Sequence, residues 1–182
     1  MEGKTVALIF SFFILICGIA LYIIADNDTK KFYLPIKEQA YHLLSLRCNK
    51  QPCVTKGSIE YIETQSSHIV KGAIFVTPSI YVYRYMFEVD GNTYTKKLLV
   101  FGKRLEMKYL PHTKNMLGKK ISEQILYDPN NPSINLPERY AKALPKIPNP
   151  YDVDKKNGII YIIFSLMIFV IAFVKSKKST TL

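Results

Sequence analysis

Residues 124 to 136, QILYDPNNPSINL, set Asp128, Asn130, Asn131 and Ser133 among prolines directly after an apolar run, a density of oxygen donors that invites a cation. A calcium loop needs donors at its first, third and fifth positions, glycine at the sixth and a bidentate acid at the twelfth. Asp128 and Asn130 suit the first two places, but Pro132, Ser133 and Arg139 stand where the third donor, the glycine and the acid belong. Asp and Asn beside proline form turns instead, because their side chains accept hydrogen bonds from nearby backbone amides. Asp128, Pro129, Asn131 and Pro132 are therefore expected to make a structural turn at the end of the last strand. Ile125 and Tyr127 then point into the core, and the prolines stop further pairing.

Two cysteines stand close together in RCNKQPC, and Cys17 lies apart in an apolar run. Cys48 and Cys53 are expected to pair as a disulfide, which persists in an oxidising compartment; two free thiols and a zinc site are the competing readings. Zinc needs four ligands, and the histidines at 42, 68 and 112 are scattered. His42 has Glu38 one turn earlier, a spacing that on a helix gives a surface contact. A trio of Cys48 or Cys53 with His112 and Asp128 can be imagined, but nothing in the spacing selects it. Gly-x-Ser-x-Gly, His-Glu-x-x-His, phosphate-loop and dinucleotide fingerprints are all absent. No catalytic residue, metal or cofactor is expected.

The elements that hold these residues begin with two apolar runs at the chain's ends. TVALIFSFFILICGIALYIIA, residues 5 to 25, has no charge, and at about 1.5 Å rise per residue it reaches roughly 31 Å, a bilayer's hydrocarbon thickness. A cleaved signal would have a shorter core and small residues before the cut, whereas Ile23 is bulky. GIIYIIFSLMIFVIAFV, residues 158 to 174, is flanked by lysines that can snorkel. We therefore expect a tail and first span over 1–25, a β-rich domain over 26–136, a Pro-rich return linker over 137–157, a second span over 158–174 and a Lys-rich tail over 175–182.

Within the domain, PIKEQAYHLLSLR carries apolar residues at helical spacing and predicts a helix over about 35–47. From Val54 onward β-branched and aromatic residues alternate with turn formers. SIYVYRYMFEVDGNTYTKKLLVF predicts a hairpin over about 80–101 closed at Asp90-Gly91, a preferred two-residue turn. Such a loop puts Tyr94, Lys96, Leu98 and Val100 on the face of Tyr81, Tyr83, Tyr85 and Phe87. That aromatic face is either a core face under the helix or a stacking platform; a sheet needs one buried face, which favours the core. GSIEYIET with SHIVKGAIFV reads as a preceding hairpin, and RLEMKYL and KKISEQILY as later strands, making about six strands. The class is an α+β membrane protein, two terminal transmembrane helices flanking a small, mainly antiparallel β domain with one amphipathic helix.

Residues 26 to 157 hold 21 Lys and Arg against 13 Asp and Glu, a net charge of +8. The lysines are spread rather than striped, which disfavours nucleic acid and leaves membrane lipid, an envelope component or an acidic protein as partners. Four lysines flank each side of the spans, at 4, 175, 177 and 178 and at 30, 31, 155 and 156. Long loops translocate largely regardless of charge, so the domain is expected outside the cytoplasm with both termini inside.

YRYMFEVDGNTYT and QILYDPNNPSINL, between two terminal spans, resemble the bacterial domain-of-unknown-function family 3592. Its members are small membrane proteins with a β-rich domain that typically contains an aromatic strand, a DG-x-x-Y hairpin and a closing YDPxNP. The resemblance covers roughly residues 56 to 136 and implies architecture, with no known catalytic residue or activity; the expected location is a bacterial inner membrane. The expected function is a membrane-anchored interaction module that binds a protein or envelope component, as an immunity-type toxin neutraliser or as an accessory subunit of an envelope complex. An enzyme acting on lipid or wall polymer through Asp128, His112 or tyrosines, and a cytoplasmic nucleic-acid binder, are the alternatives.

Overall fold

The computed structural model describes residues 2–65, 80–101, 110 and 116–178. In chain order the elements are α1 (Glu2–Asp28), a π-helical turn (Thr29–Tyr33), α2 (Leu34–Ser45), β1 (Val54–Gln65), β2 (Ile80–Val89), β3 (Asn92–Phe101), β4 (Lys120–Asp128), β5 (Asn131–Pro137), α3 (Glu138–Ala143), a 3-10 turn (Leu144–Lys146) and α4 (Asp152–Lys178). They form two units, Met1–Lys30 with Tyr151–Leu182, and Lys31–Pro150.

The first unit is a helix pair. Both helices are long and apolar enough to cross a membrane, and most of their large side chains, Phe10, Phe13, Ile163 and Phe169 among them, point outward. Small residues recur every seven positions where the helices meet: Ser11, Gly18 and Ala25 on α1, Gly158 and Ser165 on α4. This is the close-packing pattern that membrane helices use when no water drives them together. A Cβ on Gly18 would lie 2.9 Å from the Gly158 carbonyl oxygen, and one on Gly158 would lie 2.8 Å from that of Gly18. Ser11 Oγ donates to the Ser165 carbonyl at 2.8 Å, and Ser165 Oγ donates to the Ser11 carbonyl at 2.6 Å. At the other end Lys155 Nζ bonds Asp26 Oδ1 at 2.8 Å.

The second unit is one antiparallel sheet in the order β3-β2-β1-β4-β5. Asp90 and Gly91 close the β2–β3 hairpin with φ of 50° and 76°, the left-handed pair that a two-residue turn requires, and Val89 faces Asn92. The register pairs Tyr85 with Lys96, Phe87 with Tyr94 and Tyr83 with Leu98, so the expected shared face forms. Central β1 passes so close to its neighbours that a Cβ on Gly57 would sit 2.5 Å from the Met86 carbonyl oxygen. The sheet curls: Tyr85 on β2 donates its hydroxyl to Asn135 Oδ1 on β5 at 2.6 Å, although three strand pairings separate the two strands. Inside the curl lie Ile59, Tyr83, Phe87 and Ile125, with Ala40 and Leu43 from α2 and Tyr140 from α3.

The closing region differs from expectation. The chain continues past the Asp-Pro turn into β5, which pairs Leu126 with Leu136 and Tyr127 with Asn135. Pro132 and Pro137 are tolerated because β5 is an edge strand, where missing donors cost no ladder bond. The register shifts between Tyr127 and Asp128. The expected return linker holds α3, the 3-10 turn and the start of α4. Five strands occur among the described residues; SHIVKGAIFV, and RLEMKYL apart from Leu110, lie outside them.

Candidate functional site

The residues expected to make a turn lie at the β4–β5 corner and the start of β5. Pro129 and Asn130 make the corner, while Asn131 and Pro132 already belong to β5. Asp128 Oδ1 accepts from the Asn130 amide at 2.9 Å and Asp128 Oδ2 meets His42 Nε2 at 2.9 Å. These bonds, His42's first, hold the Asp128 carboxyl below its ordinary range. His42 therefore ties α2 to the β4–β5 hairpin rather than bonding Glu38, the partner expected from its spacing. Cys48 and Cys53 are joined as a disulfide. Asn49 and Lys50 between them have φ of 51° and 71°, and Cys48 and Gln51 exchange backbone hydrogen bonds. The imagined trio thus has no free thiol, and His112 is outside the described residues. Tyr83, Tyr85 and Phe87 are buried and Tyr81 and Tyr94 half-buried, so the aromatic row is core rather than a stacking platform.

One charged group in that core escaped the sequence reading. Glu123 on β4 has a side chain only 2% exposed, with Arg139 Nε 3.4 Å from Oε2. Burial raises its pKa and Arg139 opposes the rise.

The most site-like feature is a groove at the seam between the two outer strands of the curled sheet, as the described residues form it. Edge strand β3 forms one side, edge strand β5 and the first turns of α2 the other, and the groove encloses about 370 Å³. Its floor is a satisfied polar network. Gln39 Nε2 donates to the Asn135 carbonyl at 3.0 Å, Tyr85 donates to Asn135 Oδ1, and Asn135 Nδ2 donates to the Pro132 carbonyl at 2.7 Å. Burial pushes the Tyr85 hydroxyl well above its ordinary range, so it stays a neutral donor. Phe32 and Leu99 add apolar surface that is 37% and 41% exposed. Lys31, Lys96 and Lys97 line it as well, and among the described residues no carboxylate does.

None of these three lysines makes an ion pair among the described residues. A cationic, partly apolar cleft with a rigid polar floor can hold an anion through charge and an attached apolar group through contact. Sequence reading located Lys96 as the odd cation on an apolar face. It had no means of placing Lys31 or Asn135 beside it.

The fold and groove define an α+β membrane protein with a small curled-sheet domain between two membrane-capable helices. No family model, curated protein or solved structure matches the chain.

Proposed function

We propose that this chain is a membrane-anchored interaction module whose curled-sheet domain faces an oxidising, extracytoplasmic space and binds a protein or an envelope component. The observation that carries the reading is the seam groove, which Lys31, Lys96 and Lys97 line with no ion pair and no carboxylate among the described residues. The Cys48–Cys53 disulfide supports an oxidising compartment, and the two apolar helices support anchoring. A bacterial inner membrane with both termini in the cytoplasm completes the proposal, in keeping with the YDPNNP resemblance.

Two measurements test it. A reporter fused after Leu182 is expected to be active in the cytoplasm. Crosslinking in intact cells, followed by purification of the full chain, is expected to recover one reproducible partner. An extracytoplasmic reporter, or crosslinking that recovers nothing specific, defeats the reading.

A further inference from the structure

We infer that the seam groove binds the phosphate headgroup of an anionic phospholipid. This rests on the interaction-module reading and specifies its ligand. Four observations lead there.

The charge is one-sided, since Lys31, Lys96 and Lys97 line the groove without any carboxylate among the described residues. An anion at the groove is therefore drawn by the surrounding positive field and meets no carboxylate among the described residues. The size suits a headgroup: about 370 Å³ is near the lower end for small-molecule sites. The polar floor is fixed in advance, because Asn135 is only 2% exposed and its amide and carbonyl groups are held by Tyr85, Gln39 and Pro132.

The source of the phosphate is decided by the groove's lip. Lys31 and Phe32 follow Asp28, the last residue of α1, by three and four positions, and Lys31 Nζ lies 5.1 Å from the Phe32 ring centroid. Lysine and aromatic residues immediately beyond a span are those that sit among headgroups. A lipid phosphate meets lysines there, and exposed Phe32 and Leu99 can take the first part of its glyceryl and acyl chains. A soluble phosphate ester would make no use of that apolar surface.

The test uses the full-length chain in neutral detergent, observed by native mass spectrometry with phosphatidylglycerol or phosphatidylcholine added. Wild type is expected to retain one phosphatidylglycerol in preference to phosphatidylcholine. The triple variant Lys31→Gln, Lys96→Gln, Lys97→Gln is expected to retain it roughly a hundredfold less well, at about 1 kcal/mol per lysine. Arginine at the same three positions should restore retention, and an unchanged thermal midpoint shows that the fold is intact.

A control triple, Lys50→Gln, Lys56→Gln, Lys119→Gln, removes the same charge from exposed positions outside the groove. An equal loss in the control, or equal retention of the two lipids by wild type, overturns the inference. So does saturable binding of glycerol phosphate without any preference for phosphatidylglycerol.

A photocrosslinking amino acid in place of Leu99, activated in intact cells, separates this inference from the broader function. A phospholipid adduct supports both. A protein adduct of one reproducible mass overturns the lipid assignment and leaves the interaction module standing, and no adduct of either kind overturns both.

Discussion

Two acids of β4 show how burial and partners set opposite signs on the same chemistry. The Asp128 carboxyl is held below its ordinary range by His42 and the Asn130 amide. Its stabilising effect is therefore complete above the unfolded carboxylate range and lost as pH falls through its lowered folded value. Glu123 runs the other way: its raised pKa means that the folded state prefers the proton, so its charge costs stability once pH exceeds that raised value. Asp128→Asn is expected to lower the thermal midpoint near neutral pH, with the difference closing in acid. Glu123→Gln is expected to raise the midpoint near neutral pH and to match wild type in acid. Unfolding of the full chain in detergent, followed across pH, measures both, and a Glu123→Gln variant less stable at neutral pH would show that Arg139 outweighs burial. Sequence reading identified Asp128 as a turn residue from its neighbours. It could not find Glu123, because nothing in KISEQILYD distinguishes an inward glutamate from an outward one.

Elements formed largely where periodicity and turn chemistry agreed. α2 covers Leu34–Ser45 against an expectation of about 35–47, and the Asp90-Gly91 hairpin has the expected register. β5 and α3 were missed because six prolines after Tyr127 read as breakers. Proline breaks a strand only where its amide is needed, and that depends on whether the strand is at an edge, a property of the assembled sheet. Leu43 on α2 is fully buried in the core, so Leu43→Ala is expected to cost about 2–5 kcal/mol, measurable by denaturant unfolding. The helix pair makes a separate prediction. With Ser11→Cys and Ser165→Cys introduced, mild oxidation should crosslink α1 to α4, since the two serine hydroxyl oxygens lie 3.1 Å apart. Adding Gly158→Leu should abolish the crosslink, because even a Cβ there meets the Gly18 carbonyl oxygen at 2.8 Å. An undiminished crosslink would place the contact elsewhere. The seven-residue series through Ser11, Gly18 and Ala25 emerged only with the partner helix in place.

At the scale of the molecule, the disulfide links stability to compartment. Closing the short Cys48–Cys53 loop contributes about 2 kcal/mol in the chain-entropy model, so Cys48→Ser with Cys53→Ser should lower stability by that order under oxidising conditions. A maleimide applied to denatured, unreduced protein from cells should label Cys17 alone; labelling at Cys48 and Cys53 would contradict an oxidising location. The sequence by itself determined the layout: two charge-free runs of spanning length, a basic domain between them, an amphipathic helix, and a hairpin pinned by Asp90-Gly91. Those features are local, since hydrophobic length, alternation and turn preference are properties of neighbouring residues. Only the tertiary structure decided that the sheet curls until Tyr85 reaches Asn135, that His42 answers Asp128 rather than Glu38, and that Lys31, Lys96 and Lys97 share one groove. Each of these joins residues at least 50 positions apart in the chain, Lys96 and Lys97 excepted. Their meeting is set by strand order and curvature, which arise from packing the whole core at once rather than from any stretch of it.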